Sequence, residues 1–278
     1  MAAPVLLMVL AAAAAHASWN AIAKVIPDQR AAAGLLSAAG AGAGAVGALV
    51  LPAPDHGSWP FIAVSCFLQS GYLLLLVRAY RYGAFSQVYP LARGLPPLLV
   101  TVASVGLLGE RLTGGQLAGV VLVSLALTAL VFSGGRPRSG SGLGLAVGTG
   151  VLIATYTLVD GMGVRQSGHP LSYAMWLFLL QGVLVLAVSR AMFGPGFGQE
   201  MARSAKLGLL GGFLAVAAYA TVVWAQSRAP LALVSTARET SLLFACVIGA
   251  MIFGERFSVI RLVATSAAVA GIVLVQTS

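Results

Sequence analysis

Charged residues are scarce in this sequence. Only 8% of its 278 residues are Asp, Glu, Lys or Arg, and 59% are hydrophobic. A soluble domain typically has about 25% charged and about 45–50% apolar residues, so the deficit excludes a soluble globular protein. With a mean hydropathy of +0.95, the composition indicates a membrane protein with many spanning segments.

Cysteine and acidic residues are also few. Cys66 and Cys246 each lie in an apolar stretch without C-x-x-C or Cys/His spacing, which argues against a disulfide or zinc framework. We expect no metal and no cofactor. The net charge of +9 comes from basic residues scattered singly or in pairs between apolar runs. This placement is typical of membrane-flanking charges, and we expect no nucleic-acid partner.

No polar segment is long enough to fold as a separate domain. Ten apolar runs of about 18 or more residues predict an all-α, polytopic protein of the cell (inner) membrane. The first run ends in an A-x-A-like sequence, as a signal peptide would, but the positively charged region that should precede it is missing, so we predict a retained helix. The ten runs are approximately 4–23, 32–51, 60–79, 84–108, 115–133, 143–164, 171–193, 207–227, 230–253 and 258–276.

The basic residues predict an orientation. If the ten runs cross the membrane in turn, one end of the bundle holds 11 of the 16 Lys and Arg residues, the other end holds 3, and Arg93 and Arg238 lie within runs. The positive-inside rule then makes the 11-charge end cytoplasmic and places both termini outside.

An internal repeat divides the sequence near its midpoint. Two motifs recur 145 residues apart, Ala92-Arg93 with Ala237-Arg238 and Gly109-Glu110-Arg111 with Gly254-Glu255-Arg256. Five spans per half invert the second half relative to the first, and inverted repeats are a signature of alternating-access transporters with a midplane site. The sequence therefore predicts two inverted five-helix repeats, residues 1–135 and 143–278, joined by the Gly/Pro/Arg-rich linker at 136–142.

A candidate site follows from polar residues far from the ends of the runs. Arg93 and Arg238 each lie roughly 12 Å from the nearer end at about 1.5 Å per residue, and Asp160 and Glu239 provide two acids. Such groups should face the bundle interior and be paired. Internal salt bridges and contact with a zwitterionic substrate both remain open. We predict a cavity lined by His16, Asn20, Gln69, Tyr72, Arg93, Tyr156, Asp160, Arg238 and Glu239.

Helix spacing and backbone chemistry support this set. His16 and Asn20 are spaced i, i+4 and share a helix face, as do Tyr156 and Asp160 140 residues later. Pro90, Pro96 and Pro97 flank Arg93 and predict a kinked cavity wall. Tyr219 is one of several further aromatic residues near the cavity. Glu110-Arg111 and Glu255-Arg256 end apolar runs, and we expect them to cap turns between helices rather than to bind substrate.

The chain resembles the EamA-type members of the drug/metabolite transporter superfamily. The resemblance rests on R-Y-G-A-F-S-Q-V-Y-P-L-A-R-G at 81–94, on the G-E-R-L and G-E-R-F motifs, on the stretch ending in T-A-R-E-T at 236–240, and on Trp19-Asn20 followed by Lys24. It implies ten helices, a central cavity lined by the first, third, fourth, sixth, eighth and ninth, and secondary transport of small metabolites, often export of amino acids. Many members are drawn with cytoplasmic termini, whereas the charges here favour the reverse.

Three classes of function differ in how well they explain these features. A secondary transporter explains the repeat, the paired charges and the proline-rich helix together. A channel-like facilitator, or a lipid- or drug-translocating protein of the same fold, is the alternative. An enzyme is not expected, since neither H-E-x-x-H nor a nucleophile elbow occurs. The expected partners are a small-molecule substrate and the lipid bilayer, with a proton as coupling ion left open, in a monomer or homodimer.

Overall fold

A computed structural model describes residues 1–82, 85–131, 140–194, 196–253 and 259–278. Within these ranges the chain forms twelve α-helices and one 3₁₀ turn, His56–Ser58. The helices are α1 (Ala3–Val25), α2 (Gln29–Val50), α3 (Trp59–Tyr82), α4 (Phe85–Leu108), α5 (Gly114–Ala129), α6 (Gly140–Arg165), α7 (Pro170–Phe193), α8 (Phe197–Arg203), α9 (Ala205–Gln226), α10 (Leu231–Arg238), α11 (Ser241–Phe253) and α12 (Val259–Thr277).

The predicted all-α membrane fold is confirmed. Among the described residues, seven helical stretches are long and apolar enough to cross a membrane, and two shorter apolar stretches lie in α5 and α12. One of the seven, Leu231–Gly249, runs through both α10 and α11. The number of spans, ten, stays a prediction. Most of the predicted linker at 136–142 and the Glu255-Arg256 pair lie outside the described residues.

Polar caps set several helix boundaries. The Asp28 carboxylate accepts the backbone N–H of Arg30 at 2.7 Å and of Ala31 at 3.2 Å, which begins α2. Thr113 and Gln116 form a reciprocal capping box at the start of α5, satisfying backbone donors that a helix leaves unpaired. Gly194, with φ of 72°, ends α7, because a residue without Cβ adopts this conformation without strain.

Glycines bring two pairs of helices into close contact. A Cβ on Gly44 of α2 would lie 2.5 Å from backbone atoms of α7, and a Cβ on Gly182 of α7 would lie 2.5 Å from the Ser37 carbonyl of α2. Gly119 of α5 and Gly271 of α12 approach each other in the same way. Small residues allow such backbone contact in lipid. Gly42 of α2, by contrast, has open space beside it.

The interior is built from helices of both halves of the sequence. Helix α1 packs on α9 and on α10 and α11, while α3 and α4 pack on α6. Helix α2 packs along α7, and α5 packs along α12. Each of these contacts joins a helix of the first half to one of the second half. A site between them is therefore lined by both halves.

The apolar run predicted over 230–253 contains a stretch long and apolar enough to span, Leu231–Gly249, but its helix is interrupted. Helix α10 ends at Arg238, and α11 begins at Ser241. Across the break Glu239 N–H donates to the Thr236 carbonyl at 3.1 Å and Thr240 N–H to the Ala237 carbonyl at 3.1 Å, three residues back instead of four, as in a 3₁₀ turn. The chain thus presents a helix C-terminus and a helix N-terminus inside the apolar run.

The proline-rich α4, by contrast, remains helical through Pro90, Pro96 and Pro97. Proline at 96 removes the N–H that the Ala92 carbonyl would normally accept. Gly150 of α6 lies against that carbonyl, since a Cβ there would be 3.3 Å from the oxygen. Protein therefore covers the exposed backbone, as the apolar surroundings require.

Candidate functional site

A column of polar side chains runs through the middle of the bundle. His16 comes from α1, Gln69 and Tyr72 from α3, Arg93 from α4, Tyr156 and Asp160 from α6, Tyr219 from α9, and Arg238 from α10, with Glu239 in the helix break. Arg93, Asp160, Arg238 and Glu239 are each at most 6% exposed. Buried charges at this density are costly unless they are paired or serve function.

Arg93 and Glu239 form a buried ion pair between α4 and the break. Arg93 Nη2 lies 3.1 Å from Glu239 Oε1 and donates to the Ser241 hydroxyl at 3.2 Å. This Nη2–Oε1 distance makes the two residues an ion pair. Neither oxygen of Glu239 accepts a hydrogen bond of good geometry from the described residues. The first-half arginine is thus neutralised by an acid of the second half.

Arg238 is differently placed. It is 4% exposed, it lies within electrostatic range of His16 and Glu239, and the Tyr156 hydroxyl is within hydrogen-bonding reach of it. Its Nε and Nη2 atoms have no hydrogen-bond partner among the described residues. These two nitrogens form one edge of the planar guanidinium, the edge that binds a carboxylate through two parallel bonds.

Asp160 is fully buried and held by neutral donors. Tyr173 OH donates to Oδ1 at 2.9 Å, and Gln69 Nε2 donates to Oδ2 at 3.1 Å. The Tyr219 hydroxyl donates to Oδ2 through a short bond, and the Ser65 hydroxyl is a further donor. This satisfies the carboxyl without a cation, so Asp160 joins α3, α6, α7 and α9 at one point.

The α1 residues separate into two roles. His16 is only half-buried although it lies mid-helix near Arg93 and Arg238, and its Nδ1 accepts the Trp19 indole N–H at 3.3 Å. Asn20 donates to the His16 carbonyl at 2.7 Å, so its amide bonds back to the backbone of its own helix.

Three tyrosines form a row of ring contacts that connects Arg238, through Tyr156, with Asp160, through Tyr219. The rings of Tyr72 and Tyr156 lie 5.7 Å apart and those of Tyr156 and Tyr219 lie 6.3 Å apart. Tyr156 is buried at 6% exposure, whereas Tyr72 is half-buried. Aromatic rings with polar ends suit a pocket that takes an organic molecule through both apolar and hydrogen-bonding contact.

The structure brings eight of the nine predicted residues into this column and leaves Asn20 bonded along its own helix. Sequence reasoning missed Tyr173, Ser65 and Ser241, and it counted Tyr219 only among general aromatics. Tyr173 lies in the first turn of α7, in a helix that the resemblance does not place at the cavity. Ser65 is spaced i, i+4 from Gln69 and bonded to it at 3.0 Å, a spacing that could have revealed it.

Glu110 contacts residues far along the sequence at one end of the bundle. Its carboxylate accepts the Leu231 N–H at the start of α10, at 2.9 and 3.0 Å, and pairs with Arg165 Nη2 at 2.8 Å. Arg165 also donates to the Gln226 and Ala229 carbonyls, both at 3.1 Å. This Glu110–Arg165 network ties α4, α6, α9 and α10 together at one end of the bundle.

Comparisons with known proteins agree with this architecture. A family model described as the EamA-like transporter family matches residues 140–277. A solved crystal structure of a protein superposes with a TM-score of 0.79 at 18% identity, over 99% of this chain and 99% of that one, which shows a shared fold. No curated protein matches the sequence. The chain belongs to the EamA-like transporter family of the drug/metabolite transporter superfamily, and it is a multi-pass membrane protein.

Proposed function

We propose that this protein is a secondary transporter that moves a small polar metabolite, an amino acid or related zwitterion, across the cell membrane by alternating access, with export favoured. The polar column between the two halves of the bundle is the observation that carries the proposal. Ion pairs and hydrogen-bonded acids in an apolar interior mark substrate or ion pathways. The two halves supply its members jointly, as a site between inverted repeats requires.

The pattern of helix packing supports two repeats of five spans each, residues 1–135 and 143–278. The correspondence pairs α1 with α6, α3 with α9, and α4 with α10 and α11. If each helix is replaced by its counterpart, the α1–α9 contact becomes the α6–α3 contact, and the α4–α6 contact becomes the α11–α1 contact. All four contacts occur in the structure. The α2–α7 and α5–α12 contacts map onto themselves. This is the pattern that a pseudo-two-fold axis produces.

We propose further that the end of the bundle that holds 11 of the 16 Lys and Arg residues is cytoplasmic. The Glu110–Arg165 network then fastens the outer end, at the level of the loop after α4 and the turn before α10. Labelling a cysteine introduced at the exposed Ser278 with a membrane-impermeant maleimide tests this orientation. Reaction from outside intact cells is expected, and protection until the cells are opened would reverse the assignment.

Counterflow in liposomes tests the transport proposal. Liposomes that contain the purified protein are loaded with one unlabelled amino acid at a time. Uptake of the labelled compound is then followed with and without a pH gradient. Saturable counterflow is expected. Flux that rises linearly with concentration and shows no exchange would favour the channel-like alternative, and a pH gradient that drives no accumulation of a transported compound would exclude proton coupling.

Variants connect flux to the polar column. Arg93→Ala and Arg238→Ala should abolish counterflow in a folded protein, since each removes a cation from the site. Because Arg93→Ala leaves Glu239 buried without its ion pair, the double variant Arg93→Ala/Glu239→Ala is included. Arg203→Ala is the matched control, because that arginine is 72% exposed and paired only with Glu200. Normal flux in all the column variants would remove the site assignment.

A further inference from the structure

We infer that the Nε/Nη2 edge of Arg238 binds the carboxylate of the transported molecule. The inference rests on the proposed transport function and selects one of two arginines as the anion site. Arg238 is 4% exposed, and both nitrogens of the edge lack a hydrogen-bond partner among the described residues. Buried N–H donors of a charged group normally have hydrogen-bond acceptors, and burying such a donor without an acceptor is costly. A planar carboxylate meets both at once.

Two other charged groups of the column, Arg93 and Asp160, are already engaged. Arg93 is paired with Glu239 and bonded to Ser241, so it is not a second equivalent anion site. Asp160 is 0% exposed and saturated by hydroxyl and amide donors. Asp160 therefore has no oxygen left to accept a substrate's ammonium.

Arg238 is the last residue of α10, where the partial negative charge of a helix C-terminus favours a cation. The start of α11 adds no anion site, because the backbone N–H groups of Leu242, Leu243 and Phe244 already donate to the Glu239 and Thr240 carbonyls.

Charge balance favours a zwitterion over a simple carboxylate. With both acids ionised, Arg93, Arg238, Asp160 and Glu239 sum to zero, so a bound carboxylate adds one negative charge. The substrate's own ammonium restores neutrality. Glu239 Oε2 accepts no hydrogen bond from the described residues and lies within range of Arg238, which makes it the acceptor for that ammonium.

Binding measurements with matched probes test the carboxylate site independently of transport. Detergent-solubilised protein is titrated with alanine, leucine and phenylalanine, each compared with its amide and its decarboxylated amine, and stabilisation against unfolding reports binding. At least one free amino acid is expected to stabilise the wild type, with its amide and amine at least about tenfold weaker. Equal binding of acid and amide, or no binding of any acid, would overturn the inference.

Two Arg238 variants separate ligand binding from structural support. Arg238→Gln should remove the response to the acid, and Arg238→Lys should weaken it, since an ammonium lacks the two-pronged edge. Without ligand, Arg238→Gln should unfold no more easily than the wild type, because it removes a buried cation with unmade hydrogen bonds. A less stable Arg238→Gln protein that still binds the acid would make Arg238 structural. Arg203→Gln should behave as wild type in every measurement.

The outcomes also distinguish this inference from the transport proposal. Acid binding that Arg238→Gln removes, without counterflow in the wild type, would leave the carboxylate site standing and refute secondary transport. Saturable amino-acid counterflow that persists unchanged in Arg238→Gln would leave the transporter standing and refute the carboxylate site.

Discussion

The Glu110–Arg165 network should contribute much more to stability than an exposed ion pair. The Glu110 side chain is 8% exposed and Arg165 is 37% exposed, with 2.8 Å between the charged atoms. Glu110 also accepts the Leu231 N–H through both oxygens, and hydrogen bonds to charged groups contribute about 1.5–3 kcal/mol each. Allowing for solvent screening at Arg165, Glu110→Ala should lower the free energy of unfolding by about 2–4 kcal/mol.

A double-mutant cycle isolates the ion pair from the helix cap. Glu110→Gln keeps an amide oxygen that can accept the Leu231 N–H but removes the charge, and Arg165→Gln removes the partner. The coupling energy between the two substitutions should be about 1–2 kcal/mol, since the residues touch and share one network. Unfolding of the purified protein by increasing SDS, followed by circular dichroism, provides the four free energies.

The Glu200–Arg203 pair is the matched control. Its atoms are closer, at 2.6 Å, but its side chains are 40% and 72% exposed, and exposed pairs contribute about 0–1 kcal/mol. The same cycle there should give at most a few tenths of a kcal/mol. If the Glu110–Arg165 coupling is no larger than that of the control, the network does not stabilise this end of the bundle.

Three further predictions concern single contacts and use the same unfolding measurement. Tyr173→Phe should cost about 1–3 kcal/mol because it removes a donor from buried Asp160, and unchanged stability would show that the remaining donors suffice. Gly44→Ala should destabilise the protein by about 1–3 kcal/mol through a clash with the α7 backbone. Gly42→Ala, where a Cβ would meet nothing within 4 Å, should be neutral or stabilising by up to about 1 kcal/mol. Equal effects of the two substitutions would refute the close packing of α2 on α7. Asp28→Ala should cost about 1 kcal/mol by removing the α2 cap, and no change would mean that water replaces it.

Apolar runs predicted the helices well because a membrane leaves the backbone few alternatives. Every polar backbone group must be satisfied within its own segment, so a long apolar run is a helix almost by necessity. The same reasoning located Arg93, Asp160, Arg238 and Glu239, since ionisable groups are rare at such depth and point inward. These residues could be found without a structure, because an ionisable group at such depth is costly unless it faces the interior of the bundle.

The break between α10 and α11 could not be predicted in this way. Glu239 and Thr240 are neither proline nor glycine, the residues that normally mark a broken helix. Three prolines predicted a kink in α4, and α4 is helical through all of them. Tertiary contacts lie at both places: α6 covers the Ala92 carbonyl that Pro96 leaves without a donor, and the Glu239 carboxylate pairs with Arg93 of α4.

Hydrogen-bond partners from outside the expected cavity were the second omission. Tyr173 lies in the first turn of α7, a helix that has no acidic residue. An isolated tyrosine near a helix end usually indicates an interfacial anchor. Its bond to Asp160 depends on where α7 crosses α6. The periodicity of one segment contains no information about that crossing, so only the assembled bundle reveals the partner.

One asymmetry between the proposed repeats explains why the two arginines differ. Under the 145-residue correspondence, the residue after Arg93 is Gly94 and the residue after Arg238 is Glu239. A Cβ on Gly94 would lie 2.9 Å from Thr128 Oγ1 and 3.1 Å from Thr128 N, so α5 leaves no room for an acidic side chain there. The single glutamate therefore neutralises Arg93, the arginine of the opposite repeat. Packing at Gly94 closes the position that would supply Arg238 with the corresponding acid, and among the described residues the buried Nε and Nη2 atoms of Arg238 have no hydrogen-bond partner.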